Sequence, residues 1–166
     1  MAQTIEMQNE YSMSADVDNQ YLTFILANEE YAVDILRVQE IRCWQSVTTL
    51  PNAPEYIKGV INIRGTIVPI IDLRIRFNME PMKYGPMTVV IVVKVSGENR
   101  DRVMGMIVDG VSDTYEIPED AIKAAPDFGD KIDMEFVNGL AAVNESMLIL
   151  LDIDKLLSSG ELKDLV

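Results

Sequence analysis

Residues 55–73 read Glu-Tyr-Ile-Lys-Gly-Val-Ile-Asn-Ile-Arg-Gly-Thr-Ile-Val-Pro-Ile-Ile-Asp-Leu, and the same pattern returns 80 positions later without a gap. Glu55, Tyr56, Gly59 and Asp72 meet Glu135, Phe136, Gly139 and Asp152. All nine aliphatic positions from Ile57 to Leu73 meet an apolar residue in the second copy. Chance matches a few such positions. The full set, with the glycine and the aspartate, indicates a duplicated unit. Each copy reads as one turn of helix stopped at its glycine, then two apolar strands. In the first copy these strands fold back at Arg64-Gly65. Strands so uniformly aliphatic are expected to be buried on both faces or to close into a small barrel.

The rest of the chain is read around that unit. Residues 1–20 are polar and acidic and predict a mobile tail. The first half is expected over 21–80, a connector over 81–87, the second half over 88–151, and a terminal helix and tail over 152–166. In the first half, 21–26 and 31–33 are strands, Asp34 caps a short turn over 35–39, and 41–47 is extended. Pro54 opens the helical turn and Gly59 ends it. Pro69 has no N–H for a ladder, so its strand is expected at an edge or with a bulge. In the second half, 88–95 and 103–108 are strands, 116–131 is a loop with one turn, and Asp133 caps the turn at 134–138. Ile153, Leu156 and Leu157 take the spacing of one buried helix face, expected to seal a seam between the halves. About five short strands and only one-turn helices per half predict a mostly β protein of two small barrels. A parallel α/β sheet needs a crossover of roughly a dozen residues, usually helical, after nearly every strand, and no such pattern is read between Tyr21 and Leu151.

Composition narrows the function. A net charge of −13 repels nucleic acid and anionic membrane and leaves protein partners or cationic ligands. No apolar run is long enough to span a bilayer, and no signal-peptide pattern is read. The one cysteine, Cys43, has no internal partner, and a reducing cytoplasm is the simplest expectation. The chain has no histidine, which removes His-based acid–base chemistry, Ser–His and Cys–His pairs and a phospho-accepting histidine. Neither a P-loop nor a dinucleotide-binding glycine motif is present. Asp34, Asp72, Asp109 and Asp152 each end an apolar run. They read as helix or turn caps, with an aspartate-based phospho-accepting or hydrolytic site as the alternative. Arg64-Gly65 reads as a solvated turn on residue type alone. Ten methionines read first as core filling.

Three stretches carry a family resemblance: Tyr31 to Ile41 (Tyr-Ala-Val-Asp-Ile-Leu-Arg-Val-Gln-Glu-Ile), Ile57 to Leu73, and Ile107 to Asp113 (Ile-Val-Asp-Gly-Val-Ser-Asp). The Gly-x-x-Asn-x-Arg-Gly and Pro-Ile-x-Asp-Leu patterns of the middle stretch are its most specific part. The chain resembles the CheW family of bacterial chemotaxis coupling proteins over roughly Tyr21 to Leu157. The resemblance implies two five-stranded SH3-like barrels with short helices and a C-terminal helix. It implies no catalysis and no cofactor. The expected role is that of an adaptor joining the cytoplasmic tips of methyl-accepting chemoreceptors to the regulatory domain of the histidine kinase CheA. The chain would be cytoplasmic, recruited to receptor arrays, and monomeric on its own. By match to the family, Val38, Glu40, Gly59, Arg64, Gly65, Gly105 and Thr114 belong to receptor binding, with Gly59 and Gly105 as positions where bulk interferes. Lys123 and Phe128 belong to kinase contact. Cys43-Trp44 departs from the smaller, glycine-containing turn expected there.

Overall fold

A computed structural model of the chain describes residues 19–97, 100–126 and 134–158. Among the described residues ten strands carry the fold: β1 (Gln20–Leu26), β2 (Glu29–Asp34), β3 (Val38–Cys43), β4 (Ile57–Ile63), β5 (Thr66–Asp72), β6 (Val89–Ser96), β7 (Asp101–Val108), β8 (Gly110–Glu116), β9 (Val137–Val143) and β10 (Ser146–Leu151). One-turn helices follow β5 and β10, α1 (Leu73–Arg76) and α2 (Ile153–Leu157), and 3₁₀ turns lie at Ile35–Arg37, Glu119–Ala121 and Met134–Phe136. Asp34 caps the first 3₁₀ turn, its carboxylate accepting from the Leu36 N–H at 2.9 Å. The cap expected at Asp133 and the contact expected at Phe128 lie outside the described residues.

The duplication is visible in the backbone. Gly59 stands opposite Ile70 and Gly139 opposite Leu150; Ile63 stands opposite Thr66 and Val143 opposite Ser146, with a register shift at the same place in both hairpins. The turn residues Arg64 and Gly65 (φ +47° and +87°) and Asn144 and Glu145 (φ +49° and +68°) are all left-handed. Such a two-residue turn matches the twist of the strands it joins. In the first turn the Gly65 N–H donates to Asn62 Oδ1 at 2.8 Å.

The strands form two five-stranded sheets, ordered β8-β1-β2-β10-β9 (sheet one) and β3-β6-β7-β5-β4 (sheet two). This corrects the expectation that 21–80 and 88–151 are the two barrels. The β1–β2 hairpin joins strands of the second half, and β6–β7 joins strands of the first. Because the halves are copies, the exchange keeps equivalent neighbours: β5 runs parallel to β7, and its copy β10 runs parallel to β2. Neither half of the sequence therefore holds a complete sheet. Each sheet curls towards closure through the chain beyond its edge strand. Thr48, past β3, pairs with Val60 on β4, and Lys123, past β8, pairs with Leu140 on β9.

Burial on both faces holds for most of β5, β6 and β10, whereas β4 and β9 alternate between buried and half-buried or exposed positions. Along β6, Ile91, Val93 and Val95 face the core shared by the sheets, while Val90 and Val92 face the interior of sheet two. Ile149 and Leu151 of β10 enter the shared core; Leu148 and Leu150 fill the interior of sheet one. The period of two thus builds three apolar clusters. Arg76 lies over the rings of Tyr56 and Phe136, the repeat-related aromatics, at 5.1 and 4.9 Å. Its own counterpart 80 residues on is the fully buried Leu156.

One local expectation is overturned. The segment after Pro54 is no helix: one turn, closed by the Ile57 N–H donating to the Pro54 carbonyl at 3.0 Å, leads straight into β4, and Gly59 lies inside that strand. Pro69 keeps the expected edge only locally: β5 lies between β7 and β4, but no β7 partner is registered opposite Pro69. Its missing N–H is tolerated because the parallel ladder to β7 is registered only from Ile70 onward. The strand expected over 41–47 begins earlier, at Val38.

Candidate protein-interaction surface

Glu40 and Arg64 come from opposite ends of sheet two, the edge strand β3 and the β4–β5 turn. Barrel curvature brings them together. Arg64 donates to Glu40 Oε2 at 2.9 Å and Arg42 to Glu40 Oε1 at 2.8 Å. Hydrogen bonds from Arg42, then Arg64, hold the Glu40 carboxyl below the usual carboxylate range. The Arg64 side chain is 74% exposed. A contact so open to solvent adds little to stability, so its guanidinium is available to exchange Glu40 for an acceptor on a partner. Gly65 is exposed beside it. Val38, on the same strand as Glu40, is half-buried against the core between the sheets, and Leu36 and Ile41 nearby are 55% and 48% exposed.

The remaining sequence-predicted residues divide by burial. Gly59 and Gly105 are buried, and a side chain at either meets the barrel before it meets a partner. Thr114 is exposed on β8, the edge strand of the other sheet. The Lys123 side chain is exposed and donates to the Asp120 carbonyl at 3.2 Å, while its backbone closes sheet one. Trp44 packs against Tyr84 with ring centroids 4.3 Å apart. The Tyr84 hydroxyl donates to Asp72, and burial, then this hydrogen bond and the Asp72 charge, raise the pKa of that hydroxyl. The connector is thereby fastened to sheet two, a contact that no local pattern announces.

Three of the four aspartates are caps as expected: Asp34, Asp72 over the Ile75 N–H at 3.2 Å, and Asp152 over the Lys155 N–H at 3.1 Å. Asp109 differs. It accepts two hydrogen bonds from Arg74, at 2.8 and 2.7 Å, and one from the Ala27 N–H at 2.9 Å. The position ends a strand that continues almost directly into β8, so no helix start is there to cap. Burial pushes the Asp109 carboxyl up, but the Arg74 hydrogen bonds, the Ala27 N–H and the Arg74 charge outweigh it and hold it below the ordinary 3.8. A depressed folded pKa stabilises above the unfolded value, and that contribution is lost as pH falls through the folded value. Asp109→Asn is therefore expected to be less stable at neutral pH by about 1–3 kcal/mol. In thermal melts the gap from the parent protein should close below about pH 4.

The fold is a duplicated two-barrel module with an exposed polar cluster at Glu40, Arg42 and Arg64. The description CheW-like domain matches residues 20–161. The chain is 49% identical over 146 residues to the chemotaxis protein CheW of Klebsiella aerogenes, covering 88% of this chain and 86% of that one. It is 35% identical over 144 residues to the probable chemotaxis protein CheW of Rhizobium etli, covering 87% and 90%. The crystal structure of the scaffolding protein TtCheW from Thermoanaerobacter tengcongensis superposes with a TM-score of 0.76 at 34% identity, covering 86% of this chain and 90% of that one. The chain belongs to the CheW-like family, and it is a non-enzymatic chemotaxis adaptor with the family's pair of SH3-like barrels. The phospho-accepting or hydrolytic alternative finds no support: the sheets are mainly antiparallel, and the four aspartates serve as caps or in an ion pair.

Proposed function

We propose that this chain couples chemoreceptors to the histidine kinase CheA by holding both at once, in the cytoplasm beneath the receptor array. The observation that carries the receptor side is the Glu40–Arg64 pair: an exposed planar guanidinium tethered by one carboxylate, beside half-buried Val38. A receptor tip is helical, so an apolar stripe would lie along Val38 and helix carboxylates or carbonyls would take Arg64. Gly65, Gly59, Gly105 and Thr114 complete this surface in the proposal, the buried glycines indirectly, by letting the barrel that carries it pack without strain. Arg64→Ala is expected to weaken receptor binding by about tenfold, the loss of one charge-assisted contact. Its melting temperature should stay within a degree or so, because the native pair is exposed. Unchanged receptor affinity in a pull-down would remove Arg64 from the surface.

Kinase contact is assigned to Lys123, whose backbone pairs with Leu140 of sheet one, away from the Glu40–Arg64 pair of sheet two, and to Phe128. Phe128→Ser should reduce clustering of kinase and adaptor more than their one-to-one affinity. An equal loss in both measurements would contradict the assignment. The mechanism is linkage. Tethering raises the effective concentration of kinase at the receptor, and a signal passes as reciprocal coupling between two interfaces. The reading as a whole is tested by reconstituting kinase and receptor fragment with and without this chain, scoring assembly and kinase activity. Equal assembly in both mixtures would overturn it.

A further inference from the structure

The seam between the two sheets ends differently in the two copies. At sheet one it opens into a groove of about 670 Å³ whose lining includes Glu29, Tyr31, Met79, Glu80, Leu140 and Met147. Tyr31, Ile149 and Leu140 stand in one row across β2, β10 and β9. All three belong to or pack on the core between the sheets, so the groove lies against one end of that core. Met147, two residues from Ile149 on the same strand, is 55% exposed. Glu29 and Glu80 are exposed carboxylates, and the groove's cation, Arg74, is already held by Asp109 and by the Glu80 carbonyl at 3.0 Å. The unneutralised charge at the rim is negative.

The second copy shows how such an end is filled. Ile70 lies beside Gly105 and its repeat mate Leu150 beside Ala32. Three residues back along each strand, Arg102 is therefore the counterpart of Glu29. Arg102 is buried, and its guanidinium donates to the Leu157 carbonyl and Ser158 Oγ, both at 3.2 Å, where the chain leaves α2. In the first copy a carboxylate stands in that place. It has no N–H to give the end of α1, and it reverses the charge there.

We propose that this groove is a docking site for a partner protein segment that sets an apolar side chain beside an arginine or lysine. The apolar group packs on Met79, Leu140 and Met147, and the cation meets Glu29 and Glu80, supplying from outside what Arg102 supplies within the second copy. Among the described residues, none of those assigned above to receptor or kinase contact lines the groove. The test titrates the ¹⁵N-labelled full chain with a short helix-forming peptide of leucine, phenylalanine and arginine, and with an analogue carrying glutamate for arginine. Amide shifts should gather around Met79, Leu140, Met147 and Ile149, with the arginine peptide binding at least about tenfold more tightly than the glutamate one. Glu29→Arg, which gives the first copy the charge of the second, and Met147→Glu, a change at an exposed position, should each weaken binding by about tenfold. Shifts centred elsewhere, no binding, equal affinity for both peptides, or parent-like binding by the two variants would overturn the proposal.

Discussion

Removing residues 152–166 lowers the midpoint of thermal unfolding by on the order of 10 °C. Ile153, Leu156 and Leu157 are the reason: they are 4%, 0% and 0% exposed and belong to the core shared by both sheets. Each buried aliphatic side chain is worth about 1.5–3 kcal/mol. Restored chain entropy offsets part of that, leaving a loss of a few kcal/mol, at about 2–4 °C for each in a domain of this size. Asp154 adds a two-point contact, with Arg37 donating at 3.0 and 2.7 Å. Both of these side chains are about one-third exposed, 31% and 32%, so the pair contributes less than about 1 kcal/mol. Packing decides the outcome: Leu156→Ala should cost about 2–5 kcal/mol, and Asp154→Asn far less. Calorimetry on the three proteins checks the order. A truncated chain melting with the parent would show that α2 seals nothing.

The duplication made the hairpins legible, since a period of two on wholly aliphatic strands demands burial on both faces. It could not show which hairpin joins which sheet. β1–β2 and β6–β7 are themselves copies, so the contiguous arrangement and the exchanged one satisfy the same local pattern. Only long-range pairing, Ala32 with Leu150 and Gly105 with Ile70, tells them apart. Gly59 was misread for a related reason. A glycine after a short turn signals a helix stop, and its true cause is a carbonyl eleven positions back in the sequence, at Thr48. Arg64 was singled out through family resemblance, because an arginine in a turn has no local mark of function. Its tie to Glu40 depends on curvature. The groove at Tyr31 was illegible for the same reason: its walls come from β2, β9, β10 and the segment after α1.

Gly59→Ala is expected to destabilise the protein by on the order of 3 kcal/mol or more, the combined cost of strain and overpacking. A Cβ there would sit 2.3 Å from the Thr48 carbonyl oxygen, at φ +150°. That oxygen cannot step aside, because it accepts from the Val60 N–H at 2.9 Å while the Thr48 N–H returns a bond of the same length. The repeat supplies an internal control. Gly139→Ala meets the Lys123 carbonyl at 2.6 Å in the matching pair and should come second. Gly105→Ala meets side-chain methyls, Ile70 Cδ1 at 2.7 Å and Val90 Cγ1 at 2.9 Å, which can turn aside at lower cost. Gly65→Ala meets nothing within 4 Å and bears only the strain of φ +87°, about 1 kcal/mol. Urea midpoints should fall in that order, largest first for Gly59. Measured beside Arg64→Ala, the series also separates two ways of losing receptor binding. If the glycines act through the barrel, receptor affinity follows the fraction of folded protein and returns when a stabilising condition restores the fold, whereas Arg64→Ala stays weak in a fully folded chain. A Gly59→Ala protein with the parent's urea midpoint and no receptor binding would instead make that glycine part of the contact.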